Sequence, residues 1–407
     1  MRARLLTCIG LAGMFVSMSQ PVLASSGGSC AALATSPFEA GFGDHPQRIA
    51  DLHHAIAVCA DALAASPDAA DIAAWLGRAH AEAFDHTAAI AALERAMSGG
   101  HPIGTALYAT YLLDSRHLTA QPERAVALLR PLADGGLAIA QHGMGRAYDF
   151  GFGVDADAQQ AAQFYRLAAD QGYSRAQAAL ASLYELGLGV EQDYGQSLHW
   201  AELAAAQNDP YGLYQLAWLY QSGQGVEQNY SEALRLYQHA TDLGDPLATN
   251  ELGHFYAEGI GTPVDMVRAI ALFERAAAAG EPLAIANLGQ IYVLGRGVAK
   301  DTAYAASLLL QASELGEKTA MTTLGFLYSR GDGVAEDQAE ALRWTQMAAD
   351  LGDPMAWNNL GNHYEKGLGV PRDLVLARRF YQRAADAGIA LALKGLADVT
   401  ELEKQAP

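Results

Sequence analysis

The chain has 407 residues, of which 51% are hydrophobic and 17% charged, and its formal net charge is −19. A chain of this length accommodates two or three globular domains or one long array of repeats. Because acidic residues outnumber basic ones so strongly, the surface repels phosphate groups, and we expect neither nucleic acid nor an anionic membrane as a partner.

The N-terminus has the pattern of a cleaved secretory signal. Two arginines precede the apolar stretch Leu5–Met18, which is too short to span a bilayer comfortably. Small residues predict cleavage after Ala24, so 1–24 is the expected signal peptide and the mature chain has no integral membrane span. An uncleaved anchor and a lipid on Cys30 are the alternatives. Export predicts a periplasmic protein, with secretion into the medium as the alternative.

Two cysteines remain after loss of the signal, Cys30 and Cys59. An even number in an oxidising compartment predicts a disulfide, which would hold the N-terminal segment against the first helix. Two free thiols are the alternative. Residues 25–46 are rich in Gly, Pro and Ser and are predicted to be a flexible segment.

Apolar residues at helical spacing come next. They predict one helix over 47–65 and a helical hairpin over 71–100, with a short break at Asp85 and His86. Residues 47–100 are therefore an expected set of N-terminal helices.

A period of 36 residues organises the rest of the chain. A Gly-x-Gly turn, preceded by a tyrosine, recurs with its first glycine at Gly151, Gly187, Gly223, Gly259, Gly295, Gly331 and Gly367. A fixed period of this length predicts a solenoid. Residues 101–136 are a degenerate copy, in which Ser115 and His117 replace the turn glycines. Residues 137–388 are seven full copies, and 389–407 are a C-terminal capping helix.

One copy reads as two helices joined by a tight turn. In Pro282–Gly316 the first helix begins at the proline and ends at Gly295, because a left-handed residue is cheap only for glycine. Asp301 then caps the second helix. Gly289 belongs to a column of small residues that predicts close helix packing. Its members are Gly145, Ala181, Ala217, Gly253, Gly289, Gly325 and Gly361.

The pattern A-x-x-x-L-G-x-x-Y-x-x-G-x-G-V at Ala284–Val298 and Ala356–Val370 resembles the Sel1-like repeat, a relative of the tetratricopeptide repeat. The resemblance covers residues 101–388, and the hairpin within 71–100 resembles a tetratricopeptide unit. It implies an all-α fold, an α/α superhelical solenoid of 36-residue helix-turn-helix repeats that binds proteins or peptides on its concave side. Some relatives with a cysteine pair in each repeat are linked with β-lactams. That link is not carried over, because no cysteine follows Cys59.

The sequence contains none of the common catalytic or metal-binding patterns, such as His-Glu-x-x-His, Cys-x-x-Cys, Gly-x-Ser-x-Gly or a Walker loop. We therefore predict no catalytic residue, no metal ligand and no cofactor. The regular tyrosine column indicates packing, since every copy carries it.

Binding residues are expected in columns that vary between copies and face the concavity. By analogy with tetratricopeptide repeats, these are the first-helix positions aligned with Leu283, Ala286, Gln290 and Val293. Tyrosine and tryptophan beside asparagine are typical of a peptide-binding surface. The alternative is that these aromatic residues fill a gap between repeats. The predicted binding residues are Tyr211, Tyr214, Trp218, Gln221, Asn250, His254, Phe326, Asn358, Asn362 and Glu365.

The leading hypothesis is a non-catalytic periplasmic scaffold or regulator that binds a protein or peptide partner. The partner would belong to an envelope-protein complex, in signalling or exopolysaccharide assembly. A secreted factor that binds host proteins is the alternative, and an enzyme acting on cell-wall or β-lactam substrates is a minor one.

Overall fold

The computed structural model describes residues 26–34, 49, 51–113 and 118–405, and all regular secondary structure within these ranges is helical. The chain divides into two compact units, one ending at Gln171 and one beginning at Gly172. The N-terminal unit contains α1 (Ser26–Ala34), α2 (Leu52–Ala65), α3 (Ala70–Glu82), α4 (His86–Ser98), α5 (Pro102–Leu113), α6 (Pro122–Asp134), α7 (Ala138–Phe150) and α8 (Ala158–Ala169).

The C-terminal unit continues the same alternation of first and second helices. It contains α9 (Ser174–Leu186), α10 (Tyr194–Ala206), α11 (Pro210–Ser222), α12 (Tyr230–Asp242), α13 (Pro246–Glu258), α14 (Met266–Ala278), α15 (Pro282–Leu294), α16 (Thr302–Glu314), α17 (Lys318–Arg330), α18 (Gln338–Asp350), α19 (Pro354–Lys366), α20 (Leu374–Asp386) and α21 (Ala390–Gln405). The predicted all-α fold of 36-residue helix–turn–helix repeats is confirmed.

The N-terminal segment contains a helix that the sequence did not predict. Residues 25–46 were expected to be a flexible loop, and this is wrong for α1, Ser26–Ala34. A disulfide joins Cys30 of α1 to Cys59 of α2, and both cysteines are fully buried. This packing outweighs the poor helix propensity of the glycines at the start of α1. The predicted signal peptide, 1–24, lies outside the described residues.

Hydrogen bonds also fasten the N-terminal segment to α3. The guanidinium of Arg78 donates to the carbonyl of Ala34 at 3.3 Å and to Glu82 at 3.0 Å. Glu82 in turn accepts from the backbone amide of Ile49 at 2.8 Å. The helix predicted over 47–65 begins later, at Leu52, because the Asp51 carboxylate accepts from the His54 amide and caps it there.

The turn within each repeat follows the predicted chemistry. In the repeat that begins at Pro282, Gly295 ends α15 with φ of 69° and Gly297 has φ of 74°. Asp301 caps α16 through the Tyr304 amide at 2.9 Å, and its own amide donates to the carbonyl of Tyr292 at 3.1 Å. The last bond closes the turn onto the first helix and explains why the capping residue keeps a fixed distance from the tyrosine.

One closing position departs from glycine and keeps the same backbone. Asn208 stands where other copies have a closing glycine, and its φ is 56°. Asparagine is among the few residues that adopt the left-handed region without large strain. The substitution therefore leaves the hairpin geometry unchanged.

The column of small residues lies where the two helices of a repeat touch. A Cβ atom at Gly361 would lie 2.6 Å from the ring of Tyr381, and one at Gly289 would lie 2.7 Å from the side chain of Leu309. Neither partner is able to recede, because Tyr381 and Leu309 are buried. The small residue in the first helix thus makes room for a large residue in the second.

A carboxylate precedes five successive first helices of the C-terminal unit, and we call this set the carboxylate column. Each member caps its helix by accepting a backbone amide. Burial, and then the charges of Asp209 and Glu281, raise the pKa of Asp245 to about 6. The members are Asp209, Asp245, Glu281, Glu317 and Asp353.

Replacing Asp245 by asparagine is expected to stabilise the protein at neutral pH. The pKa of Asp245 in the folded chain is above its ordinary value of 3.8, so the folded state binds the proton more tightly. The ionised carboxylate therefore costs stability above a pH of about 6, and the cost disappears as the pH falls toward about 4. Asparagine caps as well without the charge. Thermal melts should show a gain of about 1–2 kcal/mol at a pH of about 7.5 and little gain at a pH of about 4.5.

The matched control is Asp301→Asn, which changes an exposed cap of α16 that also accepts a single amide. We expect its melting temperature to follow that of the unchanged protein at both pH values. A pH-independent gain for Asp245→Asn would contradict the electrostatic origin of the effect.

Candidate functional site

First helices form the inner surface of the C-terminal unit. Three pairs of successive first helices touch one another: α9 and α11, α11 and α13, and α15 and α17. Successive second helices make no contact of comparable extent among the described residues. Helices that approach one another most closely lie on the inner side of a curved array. The ten predicted binding residues are all on first helices of this unit.

The aromatic stripe, which consists of Tyr211, Tyr214 and Trp218 on α11, is packed against neighbouring repeats. The rings of Tyr211 and Tyr214 are stacked, with centroids 5.8 Å apart and an interplanar angle of 12°. All three side chains are half-buried. Tyr214 also contacts the ring of Tyr237 on α12, at a centroid distance of 6.0 Å.

Polar partners satisfy the outer ends of the stripe. The hydroxyl of Tyr211 lies 2.9 Å from the hydroxyl of Ser182 on α9 and accepts from the Gln215 amide at 2.9 Å. Burial raises the pKa of the Glu185 carboxyl, also on α9, above its usual value, and the nearby Trp218 indole opposes the rise. The stripe therefore joins the first helices of two repeats.

Burial, followed by the charge of Glu251 on α13, raises the pKa of Tyr214 well above its ordinary value. Gln221 accepts from the hydroxyl of Tyr237 at 2.7 Å, and this bond holds α11 to α12. These contacts place the stripe and Gln221 in packing between helices. The predicted binding role of the four residues stays a prediction.

The predicted residues of α13 have contrasting positions. Asn250 is buried, and its side-chain oxygen accepts from Asn287 of α15 at 2.9 Å, while its nitrogen donates to Glu251 at 3.1 Å. His254 is exposed on the same helix. Asn250 thus connects adjacent first helices, and His254 is the member of the pair that faces solvent.

Four predicted residues come together at the other end of the unit, where they line one cavity of about 510 Å³ that we call the C-terminal pocket. They are Phe326 on α17 and Asn358, Asn362 and Glu365 on α19. The capping helix α21 completes the pocket with Leu391, Lys394, Gly395 and Asp398.

Buried polar groups shape the base of the pocket. The hydroxyl of Tyr381 donates to Glu365 at 2.7 Å, and burial followed by this bond raises the pKa of Tyr381 above its ordinary value. His363 is buried, its Nδ1 lies 2.8 Å from the carbonyl of Leu368, and burial lowers its pKa. Tyr381 and Glu365 hold the second helix of the repeat against the first, so the base is preformed.

Sequence reasoning missed several further residues that line the pocket. Lys366, Asn359 and Arg330 line it, as do the α21 residues. The spacing of Leu391, Lys394 and Asp398 at i, i+3 and i+7 shows that they share one helical face. Gly395 is a further signal, because a Cβ there would lie 2.5 Å from the ring of Tyr381. A glycine in the middle of a helix indicates a close neighbour.

The pocket offers hydrogen bonds and charges, and its chemistry is that of recognition. Among the described residues, no cluster of three or more His, Cys, Asp or Glu side chains has the arrangement of a metal site. Every helix in the same part of the chain is too short or too polar to cross a lipid bilayer.

The fold and this inner surface define an α/α repeat scaffold suited to protein–protein interaction. The Sel1 repeat family model matches seven consecutive segments: 138–173, 174–209, 210–245, 246–281, 282–317, 319–353 and 354–389. The chain belongs to the Sel1 repeat family, whose members are generally non-catalytic scaffolds.

Three solved structures are similar to this chain. A Sel1 repeat protein from Oxalobacter formigenes is 29% identical, covers 64% of this chain and 99% of its own, and has a TM-score of 0.52. The c5321 protein of uropathogenic Escherichia coli, a protective antigen, is 24% identical over 91% of this chain and 86% of its own, with a TM-score of 0.40. Human IFIT1, a dimer with PPP-AAAA, is 16% identical over 87% of each chain with a TM-score of 0.50, and it shows the fold alone. No match was found among curated proteins.

Proposed function

We propose that this chain is a non-catalytic periplasmic scaffold that binds a protein or peptide partner on the inner surface of its C-terminal unit. The observation that carries the proposal is the C-terminal pocket. Residues from five helices, α17 to α21, line it, and four of them lie at positions that vary from repeat to repeat. Variation at lining positions within a regular frame is what a repeat scaffold uses to choose its partner.

The proposal places the protein in a complex of the cell envelope, in signalling or in exopolysaccharide assembly. The signal-like N-terminus and the pair of cysteines support this compartment. Cell fractionation tests it. The protein should leave the cell in the osmotic-shock fraction, and recovery from the culture medium would contradict the periplasmic location.

Photocrosslinking in living cells tests the binding surface. Benzoylphenylalanine replaces Leu391 at the rim of the pocket, where the side chain is 59% exposed. We expect one discrete protein adduct, because a bound partner lies within reach of the rim. Val375 on α20 is the matched control, since it is also 59% exposed but does not line the pocket. Identical adduct patterns from the two positions would reject the proposed binding surface.

A further inference from the structure

Lysine is rare in this protein, and its placement is uneven. The chain has five lysines against a net charge of −19, and they are Lys300, Lys318, Lys366, Lys394 and Lys404. Two of the five, Lys366 and Lys394, line the C-terminal pocket together with Arg330. Cations concentrated at one concave site of an acidic protein indicate an anionic ligand.

The two pocket lysines have no partner within the described part of the chain. Both are exposed, and neither forms an ion pair or a hydrogen bond there. Lys404 by contrast lies 3.7 Å from Glu401, and Arg330 lies 3.2 Å from Asp332. Lys366 and Lys394 are therefore the unpaired cations of the pocket, and they are available to an incoming anion.

Two carboxylates also line the pocket, and one of them is already engaged. The Glu365 carboxylate accepts a hydrogen bond from the hydroxyl of Tyr381 at 2.7 Å, so its charge faces the base of the pocket. Asp398 is exposed on α21, one helical turn beyond Lys394. The pocket lining has three cationic residues, Arg330, Lys366 and Lys394, and these two carboxylates. Its net charge is therefore +1, whereas that of the whole chain is −19.

Three asparagines line the same pocket as the lysines. Asn358, Asn359 and Asn362 are on α19, and Asn358 donates to Asn359 at 3.3 Å. The side-chain amide of Asn362 has no hydrogen-bond partner among the described residues. An asparagine amide donates and accepts in the pattern that a peptide group presents, so it pairs with an extended backbone.

We propose that the C-terminal pocket binds an extended acidic peptide segment of the partner. Its side-chain carboxylates pair with Lys366 and Lys394, its backbone pairs with the asparagines, and its apolar side chains lie against Phe326 and Leu391. The proposal rests on the proposed scaffold function and adds the chemistry of the ligand. An acidic polysaccharide is less well matched, because the guanidinium of Arg330 lies over the ring of Phe326 at 5.4 Å and covers one face that a sugar would stack on.

Binding of a defined probe to the full-length disulfide-bonded protein tests this inference. The probe is a fluorescein-labelled octapeptide of alternating glutamate and valine with an amidated C-terminus, so that every carboxylate is on a side chain. Fluorescence anisotropy should show binding at least about tenfold tighter than that of the same peptide with glutamine in place of glutamate. Lys366→Gln with Lys394→Gln should weaken binding by about tenfold, and so should added salt.

The control is Lys300→Gln with Lys318→Gln, which removes the same charge from exposed positions outside the pocket. Its affinity should stay within about twofold of that of the unchanged protein. Equal loss in both double variants would overturn the proposal, because the binding would then follow net charge alone. Pocket-dependent binding of polygalacturonate without binding of the glutamate peptide would also overturn it. An adduct from the Leu391 probe together with failure of the glutamate peptide would reject the acidic ligand and leave the scaffold function standing.

Discussion

Replacement of Gly333 by alanine is expected to lower the free energy of unfolding of the C-terminal unit by about 2–5 kcal/mol. Two costs add at this residue. Gly333 has φ of 78°, which alanine adopts only with strain. A Cβ atom there would also lie 2.2 Å from the backbone carbonyl of Thr302, at the start of the second helix of the preceding repeat. A backbone neighbour cannot rotate away, so the two repeats must separate.

Gly352→Ala isolates the conformational cost. Gly352 has φ of 80°, yet a Cβ atom there would meet nothing within 4 Å. We expect it to cost about 1–2 kcal/mol, and the difference between the two variants measures the contact between repeats. Chemical denaturation followed by circular dichroism gives both values. Equal losses would show that the turn does not depend on close contact with the preceding repeat.

The two glycines of the Gly-x-Gly turn show how much of the repeat could be predicted from the sequence. The 36-residue period predicted every turn glycine, and the left-handed backbone of Gly295 and Gly331 confirms the physical reason for the first of each pair. For the second glycine the period predicted only that it belongs to the tight turn. The structure adds that this residue rests on the preceding repeat, which a pattern within one copy cannot reveal because the contact joins two copies.

The sequence predicted which helix faces carry the candidate site, but it predicted only some of the residues that line the pocket. The varying columns of the first helix led to Phe326, Asn358, Asn362 and Glu365, and the structure brings these four to one pocket. Lys394 of α21 was not among the predicted binding residues. Its place in the pocket depends on how α21 packs against α19 and α20. This helix keeps the 36-residue register at Ala392 and Leu396 but lacks the tyrosine and the turn glycines of the repeats.

The aromatic stripe shows a second property that the sequence did not predict, the hydrogen-bond partners of its hydroxyl groups. The spacing of Tyr211 and Tyr214 places them on one face of α11, and in the structure their rings are stacked. Spacing does not report whether a hydroxyl already has a partner, and that of Tyr211 has Ser182 and Gln215. A short polar side chain such as Ser182 has no distinctive sequence context, so its role as a partner emerges only from the packing of adjacent repeats.

Removal of the disulfide by Cys30→Ala with Cys59→Ala is expected to destabilise the N-terminal unit by about 3–4 kcal/mol, the loop-closure entropy for a separation of 29 residues. Alanine suits both positions, because the cysteines are fully buried and a serine hydroxyl would lack a partner there. Without the bond, α1 is held by the Arg78–Ala34 hydrogen bond and by packing on α2 and α3. Both are modest contributions for so short a helix.

Hydrogen exchange should show that the loss of stability is confined to the N-terminal helices. We expect faster exchange in α1 and α2 and unchanged exchange in α15 and α16, because each repeat of a solenoid contacts only its neighbours and local losses stay local. Treatment with reductant should reproduce the effect in the unchanged protein and add nothing in the double variant, which separates the bond from the substitutions. Protection of α1 that survives both treatments would mean that packing alone holds the helix, and that the cysteine pair serves another purpose than stability.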